Sequence, residues 1–306
     1  GNLELNFAGE PYGSATGSAP DALADALAGV GFDVLQTANS ASIQNGLSGL
    51  QSTIRTLNAA GIDHVGTYAD SAASTESSGV LLKTVSGLRV AILGYTKGLG
   101  GLSLPQGSEY AVDLLYTDYA TDFDKIATEA LQRSLDAANA LRPDVIIAML
   151  HWGSESDRTV TKSQERIANL LLAGGVDAII GTHSHIVGPM ETRSVTTDAG
   201  KDKTCFVAYS LGNFYSTMDS STATNCRDSV VLNLSFTKNG STGETTLSGV
   251  SYTPIYFADH GKDAAPRYEI LPVRTAITTN LFPSLNETMT DTIAHLRTYT
   301  QSDFDS

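Results

Sequence analysis

Two histidines lie one residue apart in the segment GTHSH, residues 181–185, directly after the apolar run VDAII. In an extended segment the side chains at positions i and i+2 point to the same side, so we expect the imidazoles of His183 and His185 to converge on one point. Such a pair suits a metal ion or an anion. The alternative interpretation is a polar loop that carries two exposed histidines.

A third histidine, His151, directly follows another apolar run, DVIIAML (144–150). In open α/β sheets ligands bind beyond the carboxyl ends of the strands, so we predict that His151, His183 and His185 line one metal site. Neutral imidazole binds zinc, iron or manganese. In a hydrolase such an ion polarises a phosphoryl oxygen and acidifies a water molecule.

Other polar and aromatic residues follow the same predicted strands. Asn213, in YSLGNF (209–214), offers a carboxamide to the site or belongs to a turn. Trp152 shapes a wall of the site or fills the core, and Glu155 orients an imidazole or is a solvated loop carboxylate. Ser210 lacks the G-x-S-x-G pattern of serine hydrolases. The remaining histidines are interpreted as surface or structural residues: His64, His260 and His295.

Short apolar runs alternate with helical patterns through the first two-thirds of the chain. Unbroken apolar strands between helices indicate a sheet that is covered on both faces, so we predict an α/β fold with parallel strands in its first half. From about residue 228 an Asn-Gly turn between alternating segments predicts an antiparallel hairpin. The predicted strands are 32–38, 89–95, 144–150, 176–181 and 205–210, and the predicted helices are 46–61, 122–143, 164–175 and 286–300.

No linker divides the chain convincingly. We expect a single domain over residues 1–306, with an α/β part at about 1–227 that carries the motifs and a hairpin and terminal helix at about 228–306 that complete the fold. The length of 306 residues is enough for one large or two moderate domains, and the 41% hydrophobic content is ample for a sizeable core.

The net charge of −14 opposes binding to nucleic acid or to an anionic membrane surface. The sequence contains neither a transmembrane stretch nor a signal peptide, and a signal or anchor upstream of Gly1 is left open. The Ser/Thr-rich, Lys-poor composition and the close spacing of Cys205 and Cys226 predict an exported protein with one disulfide. The alternative is two reduced, buried cysteines in a cytosolic protein.

Several motifs in order resemble the CapA proteins of bacterial capsule or poly-γ-glutamate biosynthesis. These motifs are GNLE at residues 1–4, VAILGYT, VIIAMLHWGSE, the histidine pair in GTHSH, and YSLGNF. The resemblance covers most of residues 1–215 and implies a four-layer α/β/β/α sandwich similar to calcineurin-like metallophosphoesterases. It also implies a cell-surface or exported location.

The resemblance assigns metal-binding roles to five residues: Asn2, Glu4, His151, His183 and His185. Asn39 keeps the first position of the Asn-Asn-His segment that the family expects, but Ser40, Ala41 and Gln44 stand where that family has Asn, His and Asp. Alanine cannot donate a proton, so a general acid at this position is lost. The aspartate-bearing first motif of the family, expected about one βα unit before NLE, is not in the printed sequence: either an upstream segment carries it or this member lacks it. Together these departures weaken a two-metal site, so we expect one metal or a bound anion.

The leading hypothesis is an exported CapA-like protein that acts in the assembly of an anionic surface polymer. Its partners are the polymer or its precursor and other capsule synthesis proteins, and its cofactor is a divalent Mn, Fe or Zn ion. If the protein is active, the reaction is metal-dependent hydrolysis or transfer at a phosphoryl or related ester centre, with no catalytic residue assigned. The alternative is a non-catalytic scaffold whose histidines hold a polymer carboxylate or phosphate.

Overall fold

The computed structural model describes residues 1–218 and 225–298. The chain divides into two units: unit 1 comprises Gly1–His151 and Asn169–Val176, and unit 2 comprises Trp152–Ala168 and Asp177–Ser306. The helix α5 (Lys162–Ala173) contains a boundary between them. Across the described residues, none of the helices combines the length and the apolar character that crossing a membrane requires.

Unit 1 contains two sets of paired strands. β1 (Val34–Gln36) pairs in parallel with β2 (Asp63–Val65). β3 (Leu81–Val85) pairs antiparallel with β4 (Leu88–Thr96), and β4 pairs in parallel with β5 (Val145–His151). β4 and β5 are mainly apolar and buried, as expected for strands inside an α/β sheet.

Three of the four helices of unit 1 bury apolar side chains. In the second helix Leu50, Ile54 and Leu57 recur at helical spacing and are buried. This helix ends just before Gly61, whose φ of +76° suits glycine. The helices of unit 1 are α1 (Ala22–Gly29), α2 (Gly46–Ala59), α3 (Ser71–Ser77) and α4 (Thr128–Ala140).

Unit 2 contains a mixed set of strands and a separate antiparallel sheet. β8 (Asp202–Ala208) pairs in parallel with β6 (Ala178–Thr182) and antiparallel with β7 (Met190–Thr196). In the antiparallel sheet the second strand along the chain lies between the other two, and two helices follow. These elements are β9 (Asp228–Lys238), β10 (Thr245–Asp259), β11 (Tyr268–Pro272), α6 (Val273–Thr278) and α7 (Asn286–Arg297).

The predicted fold class is confirmed as a mixed α/β protein with parallel strands in its first part and a separate antiparallel sheet near its end. The four-layer arrangement and the single domain over 1–306 stay predictions. The predicted start of α4 at residue 122 is wrong because the Asp118 carboxylate accepts the N–H groups of Asp124 and Lys125 and closes a turn there. The predicted last helix is α7, and its predicted residues 299 and 300 lie outside the described residues.

The predicted disulfide between Cys205 and Cys226 is wrong, because the structure does not join these two buried residues. Cys205 lies within β8, where it stands opposite Arg193 of β7. Cys226 packs against Ile186, and its Sγ lies 3.6 Å from the carbonyl oxygen of Met218. The cysteines therefore give no support to export.

Candidate functional site

His151 is the last residue of β5 and is fully buried. Its Nε2 atom lies 3.0 Å from the Oγ of Ser40 and 3.4 Å from the Oε1 of Glu4. An imidazole nitrogen beside a carboxylate oxygen is a donor pair that divalent transition metals bind. We call Glu4, Ser40 and His151 the β5 group.

Two carboxamides orient Glu4. Asn39 is fully buried, and its Nδ2 donates to the Leu3 carbonyl at 2.7 Å and to the Asn2 Oδ1 at 3.0 Å. Its Oδ1 accepts the N–H of Ala41 at 3.0 Å, so both ends of the amide are engaged. Asn2 then presents its Nδ2 to the Oε2 of Glu4 at 3.3 Å. In the structure Asn2 contacts Glu4 and Asn39 contacts Asn2. The role of Asn2 as a metal ligand stays a prediction.

The three positions that depart from the family pattern differ in what they contribute. The hydroxyl of Ser40 belongs to the β5 group, although serine in place of asparagine looks like a loss in the sequence. Ala41 is buried and has no polar side-chain atom, so it takes part only through its backbone N–H and carbonyl. The side chain of Gln44 packs against Gly17, so closely that a Cβ added to Gly17 would lie 2.0 Å from the Gln44 Oε1. Ser40 is therefore a site residue that the sequence does not identify, because its residue type alone gives no signal.

The histidine turn, residues 183–187, directly follows β6. His183 has a φ of +97° and His185 a φ of +60°, so both lie in the left-handed region that non-glycine residues seldom adopt. The expectation that this segment is extended is therefore wrong. The two rings are nevertheless neighbours, with centroids 6.4 Å apart and planes at 55°. Backbone conformations of this kind occur often at functional sites.

Hydrogen bonds fix the orientation of the His185 ring. The Nδ2 of Asn213 donates to the Cys226 carbonyl at 3.1 Å, which turns the Asn213 Oδ1 towards His185 at 2.9 Å from its Nδ1. Because that oxygen can only accept, Nδ1 carries the proton. The lone pair of neutral His185 is then on Nε2. This arrangement is typical of histidines that bind metals.

The two remaining predicted residues differ in their environment. Trp152 is buried, stacks on Tyr209 with ring centroids 5.5 Å apart, and donates its Nε1–H to the Tyr209 carbonyl at 3.0 Å. These contacts indicate a packing role. Glu155 is exposed on the loop that follows Trp152, and its role as an orienting carboxylate stays a prediction.

The donor atoms fit a divalent metal. Among the described residues, Glu4, His151 and His183 each offer one atom of the kind that binds metal ions. Unit 1 brings together Asn2, Glu4, Asn39 and His151, and unit 2 brings together His183, His185 and Asn213. Imidazole and carboxylate donors accept Zn, Mn or Fe. The prediction that both groups serve one site stays a prediction.

The family of this chain follows from a comparison of its sequence with known families. The chain belongs to the family described as Bacterial capsule synthesis protein PGA_cap, whose sequence model matches residues 1–218. All of the candidate metal ligands, and the side chains of Asn39, Ser40 and Asn213 beside them, lie within that range.

Two curated relatives carry CapA names. The chain is 26% identical over 249 residues to a PGA biosynthesis protein CapA from Bacillus subtilis, which covers 80% of this chain and 57% of the relative. It is 25% identical over 197 residues to a capsule biosynthesis protein CapA from Bacillus anthracis, which covers 64% of this chain and 43% of the relative. The chain thus spans about half the length of these relatives.

A solved structure from Staphylococcus aureus, provisionally assigned as a 5'-nucleotidase and determined with alpha-ketoglutarate, also matches. Its TM-score is 0.47 at 17% identity, and the match covers 80% of this chain and 42% of that chain.

Proposed function

We propose that this chain is an exported protein of capsule or poly-γ-glutamate assembly that binds a divalent metal and hydrolyses or transfers a phosphoryl or related ester group. The observation that carries the metal proposal is the contact between the Glu4 carboxylate and the buried His151 imidazole at 3.4 Å. The relatives named CapA support the assignment to polymer assembly.

Glu4 and His151 would hold metal in unit 1, and His183 and His185 offer imidazole ligands in unit 2. A bound ion would polarise an ester oxygen and acidify a water molecule. The protein itself orients the ligands. The Asn2 Nδ2 donates to the Glu4 Oε2 at 3.3 Å, and the Asn213 Oδ1 accepts from the His185 Nδ1 at 2.9 Å.

The first experiment measures the metal content of protein purified without chelator or metal-affinity resin, before and after incubation with manganese, zinc or iron. We expect at least one equivalent per chain, lowered by Glu4→Gln and by His183→Ala. His260→Gln is the control, because His260 pairs with Glu269 and belongs to neither group. Metal content that none of the site variants changes would overturn the proposal.

Activity is tested on phosphomonoesters and phosphodiesters whose leaving groups differ in pKa. Ala41 provides no proton donor, so we expect hydrolysis of nitrophenyl esters and little of alkyl esters. Activity that His183→Ala leaves unchanged would point to a contaminating enzyme.

A second candidate is a non-catalytic scaffold that holds a carboxylate or phosphate of an anionic polymer. It is favoured because Ser40, Ala41 and Gln44 stand where the family pattern has Asn, His and Asp. This candidate predicts binding of poly-γ-glutamate without turnover of any ester. Its partners are that polymer or its precursor and other capsule synthesis proteins. Export is tested by fractionating cells that express the full-length gene, and recovery only in the cytosol would contradict it.

A further inference from the structure

A hydrogen-bond network of polar side chains in unit 2 connects α7 to the loop before α5. Asp228 begins β9, His295 lies in α7, and Arg158 lies in the loop. The Nδ1 of His295 is 2.8 Å from the Asp228 Oδ2, and its Nε2 is 3.0 Å from the Arg158 Nη2. From the sequence, His295 is interpreted as a surface or structural residue, and no spacing in the sequence links it to Asp228 or Arg158.

Donor chemistry sets the direction of these hydrogen bonds. Arginine nitrogens only donate, so the Nε2 of His295 accepts from Arg158 and the Nδ1–H donates to Asp228. Asp228 is only 4% exposed, and its two oxygens also accept from Thr292 at 2.7 Å and Asn225 at 3.1 Å. The carboxylate is therefore held in place, and it fixes the His295 ring.

Arg158, at the other end of this network, contacts the histidine turn. The Nε of Arg158 donates to the Val187 carbonyl at 2.9 Å, and the N–H of Ser156 donates to the Ser184 carbonyl at 2.8 Å. Both contacts are made by one loop. They hold the backbone on either side of His185, whose φ is positive.

We propose that Asp228, His295 and Arg158 are positioning residues for the histidine turn, which they hold in the conformation that presents its imidazoles to a metal. This inference rests on the proposed metal-binding function. Asp228 and His295 both lie beyond residue 218, where the family match ends. The part of the chain that follows the motifs thus supports the site.

The test is the affinity of the intact chain for Co²⁺, measured by absorption titration. Loss of partners that orient metal ligands typically weakens binding by about 10- to 100-fold. We expect His295→Ala and His295→Asn to weaken Co²⁺ binding by about 10-fold. His295→Gln should restore binding, because its Oε1 can accept from Arg158 near the position of Nε2, whereas the asparagine side chain is too short. Asp291→Asn, on an exposed position of α7, is the control.

A second measurement separates this proposal from metal binding itself. Hydrogen exchange of a peptide over residues 181–188, without metal, should be faster in the alanine and asparagine variants and normal in the glutamine and control variants. Wild-type protein that binds no Co²⁺, Mn²⁺ or Zn²⁺ would overturn the proposed function. Equal affinity and equal exchange in all of the variants would overturn the positioning role alone.

Discussion

Asp113 provides a quantitative prediction, because its carboxyl group is withdrawn from water. The hydroxyl of the buried Tyr68 donates to its Oδ2 at 2.5 Å, and its backbone N–H and carbonyl bond to Gly66 and Thr96. Desolvation raises the pKa of Asp113 from 3.8 to about 7, and the Tyr68 hydrogen bond opposes part of that rise. The folded protein therefore retains a proton on Asp113 over a range in which the unfolded chain has lost it.

The sign of the effect follows from proton linkage. Between pH 4 and 7 the unfolded state binds fewer protons at this position than the folded state, so stability falls as the pH rises and is constant above about 7. A difference of 7 minus 3.8 in pKa, at 1.36 kcal/mol per unit, gives about 4 kcal/mol lost across that range. Asp113→Asn keeps an oxygen that accepts from Tyr68 but cannot ionise.

The assay is urea unfolding at pH 4 and at pH 8. At pH 8 we expect Asp113→Asn to be more stable than the wild type by up to about 4 kcal/mol, and at pH 4 the two should be nearly equal. Tyr68→Phe is the comparison, since it removes the hydrogen bond that lowers the Asp113 pKa and should steepen the pH dependence. An unchanged pH dependence in Asp113→Asn would refute the reasoning.

Three other predictions concern the site and its packing. Ser40→Asn places a carboxamide oxygen beside the His151 Nε2 and should raise metal affinity, whereas Ser40→Ala should not; titration calorimetry of both variants decides this. Gly181→Ala would put a Cβ 2.0 Å from the Tyr209 carbonyl oxygen, so it should lower the free energy of unfolding by at least about 2 kcal/mol. Gly29→Ala in α1 is the control: its Cβ would meet no atom within 4 Å, so the substitution should be neutral or stabilising. Intact-mass spectrometry after alkylation in denaturant without reductant should find two modified cysteines, and a mass two hydrogens lower with no adduct would contradict the structure.

Periodic apolar residues made the main elements predictable. The buried residues of α2 and the apolar run of β5 give unambiguous helical and strand patterns, and both elements form where expected. β7 was missed because Met190 is the only buried residue among its seven, so its sequence lacks an apolar alternation. A strand with a single buried side chain is held by backbone pairing with β8, which residue types do not encode.

The site was only partly predictable for a different reason. Ligand types can be read from a sequence, and the residues named as ligands do occur in two groups with suitable donors. The positive φ values of the histidine turn and the proton position on His185 depend on contacts with residues far along the chain. Asn213 and the Cys226 carbonyl determine that proton position, and no local pattern connects them to His185.

These long-range contacts imply that the histidine turn and the C-terminal sheet are stabilised together. Val187 forms a bridge with Leu211, whose carbonyl accepts the hydroxyl of Ser229 at 2.8 Å, and Gly212 pairs with Ser229 as β9 begins. A metal that binds only the folded histidine turn stabilises every element whose unfolding releases that turn. Metal binding at His183 and His185 should therefore slow hydrogen exchange in β9. The contacts with the antiparallel sheet β9–β11 should in turn offset part of the free-energy cost of the left-handed conformation of the histidine turn.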